Sequence, residues 1–380
     1  MGISKPPHGM LDRMKENRKH VAFYIGSLNK GGAERVFVNL AEYFAARGYR
    51  VTMITQYQKE NEYALPDGAE RVISDITKEE EGGRISNFLR RYAKLRRIFK
   101  ETGADVVLST IGKNNFMALC ANAFLPTKVV VSVVAEPTEE YPGRAMRFLA
   151  KTLFRFADGI VMQTTDAVKF FPKGLQKKCV ILKNSLNPAF VRPRFEGERE
   201  QTVVAVGRVD ENKNHRMLIR AFSSIADRFP KSRLIIYGEG KLRGQLLKEI
   251  REAGMEERIF LPGAVTDVPD RIERAYAFVL TSFTEGMPNT LLEAMSLGLA
   301  CISTDCPCGG PKDLIVDGKN GFLVPVDDDR ALSERLSELL SDPEKTARIG
   351  REAARLQESY RPDRVNAEWE AYFAGIVGRW

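Results

Sequence analysis

The sequence contains little histidine and cysteine, and this scarcity restricts the chemistry available to the protein. Three histidines among 380 residues argue against a histidine-based metal centre. The five cysteines are an odd number, no pair repeats the spacing of a zinc site, and Cys306-Pro-Cys308 alone is a weak signal. We therefore expect no metal and no bound cofactor, and a reducing cytoplasm as the compartment.

Long apolar runs are missing as well. No stretch reaches the uninterrupted apolar length that crossing a bilayer requires. Residues 1–17 are polar and lack the apolar core of a signal peptide, so we interpret them as a loose leader. Hydrophobic content of 43% and charged content of 28% are typical of an ordinary soluble protein.

Acidic residues are absent from one strongly basic stretch. The net charge is +8, and residues 84–100 contain seven basic residues and no acid, with apolar residues at helical spacing. A second basic stripe comprises Arg144, Arg147, Lys151 and Arg155. No motif that reads DNA or RNA accompanies them, so we expect no nucleic-acid partner. Attraction to an anionic membrane surface, worth about 1 kcal/mol per basic residue, is the better explanation.

The order of apolar runs and helical patterns predicts two α/β domains, because 380 residues exceed one core of usual size. Strands are predicted at residues 21–25, 51–55, 106–109, 129–134, 160–163, 180–182, 203–206, 234–237, 259–261, 278–281 and 301–303. Helical patterns alternate with them, at 33–47, 216–228, 242–253 and 290–297 and in a tail from about 331 that breaks near Pro343 and Pro362. This alternation is typical of parallel sheets covered by helices on both faces.

The predicted boundaries follow from these patterns. After the leader over 1–17, an N-terminal doubly wound domain spans 18–185, and residues 186–200 form a linker. A second doubly wound domain spans 201–360, with a central cleft between the two. A C-terminal helix, 361–380, could pack back on the N-terminal domain.

The stretch Glu285-Gly286-Met287-Pro-Asn289-Thr290-Leu291-Leu-Glu293 is the most informative in the chain. It follows an apolar strand, so it lies at the carboxyl end of a sheet, where α/β proteins bind ligands. The free amides of Asn289, Thr290 and Leu291 at a helix start would suit a phosphate. Two acids beside a phosphate site indicate a ligand with hydroxyls and phosphates, such as a nucleotide sugar. Alternatively, Thr290 and Glu293 form a capping box and Glu285 is a solvated loop acid.

Two further turns occupy equivalent places in the two halves. Gly31-Gly32 follows the first strand and lets the backbone approach a phosphate, although a plain tight turn explains it too. The sequence around it matches neither the dinucleotide fingerprint nor a P-loop. In the second half, Arg208 directly follows a strand and Lys213 precedes the next helix. Two such cations can neutralise a diphosphate leaving group.

These motifs together resemble the family-4 (group 1) retaining glycosyltransferases, which have the GT-B fold. The resemblance rests on Gly-Gly-Ala-Glu-Arg, Val-Gly-Arg-x4-Lys-Asn-His, Tyr-Gly-Glu-Gly, Glu-x7-Glu, and the segments from Ser303 and from Asp317. It runs from about residue 20 to the end and is most specific over 207–325. The nearest likeness is to bacterial transferases that build polysaccharide or other glycans on a lipid diphosphate.

The resemblance implies a role for each matching residue. Arg208 and Lys213 would hold the diphosphate, and Gly32 would offer backbone amides to it. Glu293 would bind the ribose hydroxyls, while Glu285 would contact the donor sugar near its reacting face. Many members carry a histidine near position 134, where this chain has Val-Ala-Glu136-Pro, which leaves the role of Glu136 open. Glu136 and Lys30 are the candidates on the acceptor side.

The function predicted on these grounds is metal-independent, retaining transfer from a nucleotide sugar, UDP-linked by family expectation. The acceptor would be a lipid-diphosphate-linked saccharide, and the enzyme would lie peripherally on the inner face of the cell membrane. Two alternatives remain open at this point: a nucleotide-sugar epimerase of similar fold and a non-catalytic donor-binding subunit.

Overall fold

A computed structural model describes residues 19–29 and 31–378. Lys30 and the leader predicted over 1–17 lie outside these residues. The chain divides into two compact units. The first runs to Met162 and also includes Phe170–Leu182 and the segment from Asn366, whereas the second comprises Gln163–Lys169 and Lys183–Val365.

The first unit contains a parallel sheet of seven strands in the order β3-β2-β1-β4-β5-β6-β7. The strands are β1 (His20–Ile25), β2 (Arg50–Thr55), β3 (Ala69–Ile73), β4 (Val106–Thr110), β5 (Lys128–Val133), β6 (Gly159–Met162) and β7 (Cys179–Ile181). All six residues of β1 are buried, because this strand pairs on both sides and helices cover both faces. The strand order reverses between β1 and β4, so the first unit has a ligand-binding crevice at their carboxyl ends.

The first unit contains the helices α1 (Gly32–Ala46), α2 (Arg84–Thr102), α3 (Lys113–Ala121), α4 (Pro137–Glu140), α5 (Gly143–Leu153) and α6 (Lys173–Gln176). The last twelve residues of α15 (Pro362–Val377) also belong to this unit. Helix α2 packs against α3, and α3 packs against α5. Phe373 of α15 stacks on Phe44 of α1 with ring centroids 5.7 Å apart. Glu370 accepts hydrogen bonds from the hydroxyls of Tyr43 and Tyr49 at 2.9 and 2.7 Å. These contacts attach the end of the chain to the first unit.

The second unit contains a parallel sheet of six strands in the order β10-β9-β8-β11-β12-β13. The strands are β8 (Glu200–Val206), β9 (Arg233–Tyr237), β10 (Ile259–Gly263), β11 (Ala275–Leu280), β12 (Ala300–Thr304) and β13 (Phe322–Val324). The helices are α7 (His215–Ile225), α8 (Arg243–Glu252), α9 (Val268–Ile272), α10 (Asn289–Ser296), α11 (Gly310–Leu314), α12 (Asp329–Ser341), α13 (Pro343–Ala354) and α14 (Leu356–Ser359). Among the described residues, no helix combines the length and apolarity that a membrane span needs.

Side chains alternate between two cores on opposite faces of this second sheet. Ala277 and Val279 of β11 belong to one buried cluster, and Phe278 and Leu280 belong to the other. The alternation follows from strand geometry, in which successive side chains point to opposite faces. It explains why β11 is an unbroken apolar run in the sequence.

The unit boundaries differ from the predicted domain boundaries in two main places. The predicted linker, 186–200, lies within the second unit, because Leu186 and Phe190 are buried in its core. Gln163–Lys169 also belongs to the second unit: the amide of Thr165 donates to Asp313 at 2.9 Å. These contacts join segments far apart in sequence, so local composition could not indicate them.

Candidate active site

In the second unit, the loops after β8 and β11 meet at the carboxyl edge of the sheet. The strand order reverses between these two strands, which places the ligand-binding crevice there. Asn212 joins the loops: its carbonyl accepts from the amide of Phe283 at 2.8 Å. Its side chain donates to the Thr284 carbonyl at 3.0 Å and accepts from the Thr284 amide at 3.1 Å. The predicted cations Arg208 and Lys213 and the acid Glu285 lie on these two loops, and Glu293 lies on the helix that follows.

Lys213 and Glu285 form an ion pair across the two loops. Their side chains are only 14% and 12% exposed. The Ser282 hydroxyl donates to the same Glu285 oxygen at 2.5 Å, and the Thr281 hydroxyl donates to the Lys213 carbonyl at 2.8 Å. The interpretation of Glu285 as a solvated loop acid is therefore wrong. The structure brings this acid and this cation together, and each compensates the charge of the other.

Arg208 is the exposed cation of the site. Its side chain is 75% exposed and lies 3.2 Å from Asp210. Its carbonyl accepts a hydrogen bond from Nε2 of His215 at 3.2 Å. Burial lowers the pKa of His215 to about 4, so the ring is neutral at neutral pH and carries its proton on Nε2. His215 thus fixes the backbone at Arg208. The only indication of this role in the sequence is the position of His215 in the motif Val-Gly-Arg-x4-Lys-Asn-His.

Two glycines let the loops after β8 and β9 pack backbone against backbone. A Cβ at Gly238 would collide with the carbonyl of Gly207, and one at Gly240 with the carbonyl of Val209. In return, the amide of Gly207 donates to the Tyr237 carbonyl at 3.0 Å, and that of Val209 to the Glu239 carbonyl at 2.9 Å. This close approach is the physical reason for the motif Tyr-Gly-Glu-Gly.

A pocket of about 310 Å³ opens beside these loops. It is lined by Val206, Gly207, Arg208, Tyr237, Gly238, Glu239, Ala264, Val265 and Val268. The lining is mostly apolar and backbone, and its two charged side chains are Arg208 and Glu239. Such a pocket suits a flat ring attached to a negatively charged group.

The start of α10 corrects two expectations. The helix begins at Asn289 with Pro288 as its N-cap residue, so Thr290 lies inside the helix and a capping box from Thr290 is wrong. The amide of Leu291 donates to the Pro288 carbonyl at 3.0 Å, so the prediction that it is free is also wrong. Within the described part of the chain, the amides of Asn289 and Thr290 have no acceptor. Two amides, rather than three, are open to an anion there.

The loop that carries Gly286 and Met287 is held tightly. A Cβ at Gly310 would collide with the carbonyl of Gly286, which explains the Gly-Gly-Pro segment facing it. Met287 is buried, and its amide donates to the Gln163 side chain at 3.3 Å. Glu293 is 5% exposed on α10. Carboxylates are rarely buried in proteins, so the burial of Glu293 indicates a specific role rather than an ordinary solvated position.

The helix start at Gly31 and Gly32 in the first unit is partly occupied by the chain itself. Gly31 caps α1, and a Cβ there would collide with the carboxylate of Glu34. Burial raises the pKa of Glu34. The predicted phosphate contact at Gly31 and Gly32 stays a prediction. In this structure the Glu34 carboxylate lies at the start of α1, where an anion is favoured by the helix dipole.

A pocket of about 780 Å³ lies at the carboxyl edge of the first sheet. Among its lining residues are Ser27, Asn29, Gln56, Lys113, Asn114 and Glu140. Glu136 caps α4 by accepting from the amide of Glu139 at 2.9 Å. Glu140, which the sequence did not single out, accepts from the amides of Gly112 and Val134 at 2.8 and 3.1 Å and so joins two loops of the pocket.

Two open parallel-sheet units of this kind, each with polar groups at the carboxyl edge, define a doubly wound α/β protein. Sequence models of two families match the chain: "Glycosyl transferases group 1" over residues 189–356 and "Glycosyl transferase 4-like domain" over residues 31–173. The chain belongs to the group 1 (family 4) glycosyltransferases, and its fold is GT-B.

Characterised relatives resemble the chain along most of its length. It is 27% identical to the GalNAc-alpha-(1->4)-GalNAc-alpha-(1->3)-diNAcBac-PP-undecaprenol alpha-1,4-N-acetyl-D-galactosaminyltransferase of Campylobacter jejuni, over 94% of this chain and 98% of that protein. It is also 27% identical to N-acetylgalactosamine-N,N'-diacetylbacillosaminyl-diphospho-undecaprenol 4-alpha-N-acetylgalactosaminyltransferase of the same organism, over 85% and 90%. The chain is a glycosyltransferase, and the epimerase and non-catalytic alternatives are not favoured.

Solved structures show the same fold. The Anabaena protein Alr3699/HepE in complex with UDP superposes with a TM-score of 0.78 over 94% of this chain and all of that one, at 17% identity. At this identity the likeness establishes the fold only.

Proposed function

We propose that the protein transfers a hexose or N-acetylhexosamine from a UDP-linked sugar to a sugar hydroxyl of a lipid-diphosphate-linked glycan. The observation that carries this proposal is the Lys213–Glu285 pair at the carboxyl edge of the second sheet, beside the open amides of Asn289 and Thr290. A diphosphate and a sugar need those cation, amide and carboxylate groups side by side. The two Campylobacter relatives, whose names specify diphospho-undecaprenol glycans, support the acceptor class.

The donor would bind in three parts. The uracil would enter the pocket beside Arg208, whose volume of about 310 Å³ suits a ring of that size. The ribose hydroxyls would bind Glu293. The diphosphate would bind Arg208, Lys213 and the amides at the start of α10, where the helix dipole favours an anion. UDP in the HepE complex supports this choice of nucleotide.

The chemical step would use charge stabilisation. Breaking the bond between the sugar and the diphosphate leaves negative charge on UDP and positive character on the sugar. Lys213 has three N–H donors, so it can bind the diphosphate while it still contacts Glu285. The cations and amides stabilise the departing UDP, and the Glu285 carboxylate eases the positive charge on the sugar.

Retention and metal independence complete the proposal. The acceptor oxygen would attack the face that the diphosphate leaves, and the departing phosphate oxygen would take its proton, so configuration is kept without a protein nucleophile. Arg208, the N–H donors of Lys213 that Glu285 leaves open and the amides at the start of α10 would together stabilise the diphosphate, in the role that a divalent cation would otherwise have.

The acceptor would be reached at a membrane. The first unit presents the basic residues of α2 and α5, which would bind anionic headgroups on the inner face of the cell membrane. The pocket of the first unit, with Lys113 and Asn114 in its lining and its loops held by Glu140, would receive the acceptor sugar. The acceptor-side role of Glu136 stays a prediction.

Product analysis tests the proposal. The protein is incubated with a panel of UDP-sugars and a lipid-diphosphate saccharide, with and without EDTA, and the products are analysed by mass spectrometry and NMR. We expect one sugar to be added with an α-anomeric linkage from an α-linked donor, at the same rate in EDTA. A folded protein that neither transfers nor hydrolyses any donor would refute the proposal, and inversion or loss of rate in EDTA would refute its finer parts.

A further inference from the structure

Phe124 in the first unit occupies a position that folding alone does not favour. It lies in the turn between α3 and β5, where the amide of Leu125 donates to the Asn122 carbonyl at 2.8 Å. Its side chain is fully exposed, at 102% of the reference value, and its φ is +63°. That left-handed conformation favours glycine and is unusual for an aromatic residue. A ring that gains neither burial nor a favourable backbone is typical of a contact surface.

An apolar pocket adjoins this turn. It has a volume of about 540 Å³, and Phe156, which is 74% exposed, lines it together with Phe124. Its other apolar lining residues are Leu119, Ala123, Leu125, Pro126, Val129 and Leu153. Lys128 and Asp158, 3.0 Å apart, supply charged groups that already compensate each other. The pocket therefore suits an apolar occupant.

Positive charge predominates on the helices α2 and α5 of the same unit, although Arg91 pairs with Asp75 and Arg97 with Glu101. Helix α2 contains seven basic residues, and residues 143–156 contain four, while Glu101 is the only acid in these two segments. The Arg96 guanidinium donates to the carbonyls of Ala121 and Ala123 at 2.9 and 2.7 Å, which attaches the basic helix to the Phe124 turn. Phe148 and Phe88, 72% and 54% exposed, lie on the same basic helices. Exposed rings thus occur on the basic helices, and Arg96 links one of these helices to the Phe124 turn.

We propose that Phe124 and Phe156 form an apolar anchor that enters the acyl-chain layer of an anionic bilayer, with a lipid chain received in the pocket between them. This proposal rests on the membrane location given under the proposed function and adds to it the residues that insert. Rings embedded in cations match the layering of a bilayer, in which anionic headgroups cover acyl chains. Electrostatic attraction and insertion of the rings would act together in membrane binding, because either contribution alone gives only weak, reversible binding.

Vesicle binding of the full chain tests the anchor. The protein is floated with vesicles of phosphatidylglycerol and phosphatidylethanolamine, and with neutral phosphatidylcholine vesicles for comparison. We expect F124S and F156S each to lower the partition coefficient on anionic vesicles roughly tenfold, since burying one ring is worth about a factor of ten or more. The control V316S, at a 60% exposed apolar residue of the second unit, should bind as the unchanged protein does.

A glycine variant separates anchoring from folding. F124G suits the positive φ at this turn, so its melting temperature should equal or exceed that of the unchanged protein while its vesicle binding falls. Unaltered binding of F124G and of F124S/F156S would overturn the proposal. The proposal would also be overturned if the unchanged protein did not bind vesicles and instead self-associated through Phe124, as measured by sedimentation.

Transfer assays distinguish this failure from failure of the proposed function. The anchor variants should keep full activity on a short acceptor without a lipid tail and lose activity only on vesicle-embedded acceptor. If neither the unchanged protein nor any variant transfers sugar, while vesicle binding still depends on Phe124, then the proposed function is wrong and the membrane anchor is supported. Equal loss on both acceptors would contradict the anchor.

Discussion

The pairing of Lys213 with Glu285 leads to a prediction that separates binding from catalysis. The two side chains are 14% and 12% exposed, and Glu285 has the Ser282 hydroxyl as a further partner. In K213M the carboxylate loses its cation, so we expect stability to fall by about 3 kcal/mol, the lower end for breaking a buried pair. Transfer should slow by a factor of about 10² to 10³, because a preorganised cation is lost from the leaving group.

E285Q is expected to behave differently. The neutral amide no longer competes with a diphosphate for Lys213, so affinity for UDP should stay equal or rise a few-fold while transfer still slows. Isothermal titration with UDP and turnover by mass spectrometry measure the two effects. K248M, which breaks a solvent-exposed pair with Glu252 on α8, is the matched control and should change neither.

The double variant K213M/E285Q provides the decisive comparison. If the pair is only structural, removing both charges restores stability and activity together. Our reasoning requires that stability recovers while transfer stays slow. An E285Q variant that loses UDP affinity would refute the reasoning, because Glu285 would then be a direct ligand of the nucleotide.

Three further predictions follow from glycine packing, histidine burial and the C-terminal helix. G238A should lose several kcal/mol of stability and all UDP binding, because its Cβ collides with the carbonyl of Gly207. In the control G244A the added Cβ meets no other atom, so the stability measured by thermal unfolding should rise by up to about 1 kcal/mol. His215 has a folded-state pKa of about 4 against an ordinary 6.5, so the unfolded chain takes up its proton first as the pH falls. The contribution of His215 to the unfolding free energy should be constant well above pH 6.5 and fall by up to about 1.4 kcal/mol per pH unit towards pH 4. The pKa of buried His20 is also lowered to about 4, so this residue adds a similar slope, and H215Q should remove about half of the total in urea titrations. E370A should lower stability by about 1–3 kcal/mol through the loss of two tyrosine hydrogen bonds, while E368A, at an exposed residue of the same helix, should not.

Each of these predictions has an outcome that contradicts it. A stable, UDP-binding G238A would mean that the two loops can move apart without cost. A slope that H215Q leaves unchanged would assign the pH dependence to other groups. An E370A protein as stable as E368A would show that ring packing alone retains the C-terminal helix.

The fold could be predicted because buried parallel strands are unbroken apolar runs. Eleven of the strand positions were visible in this way, from β1 to β12. Two edge strands were missed: β3, which reads Ala-Glu-Arg-Val-Ile and has no fully buried residue, and β13, which has only three residues. An edge strand has a neighbour on one side only, so its sequence carries less of the apolar signal.

The site was predicted in its residue types but not in its pairings. The motifs indicated that Lys213 and Glu285 face the same crevice, yet their direct contact depends on how the Asn212 hydrogen bonds fix the two loops. The 3₁₀-type bond of the Leu291 amide and the folding of Glu34 over Gly31 are likewise settled by local geometry. Phe124 could not be recognised at all, because exposure and φ are properties of the folded chain.

The final helix of the chain belongs to the unit that is synthesised first. Phe44 and Tyr49 therefore cannot contact Glu370 and Phe373 until the second unit has been synthesised and residues 370–373 have left the ribosome. Domains generally fold as they emerge, but this one cannot be completed before the other has been made. Nascent chains stalled before residue 366 should consequently keep an uncovered apolar patch and a greater need for chaperones.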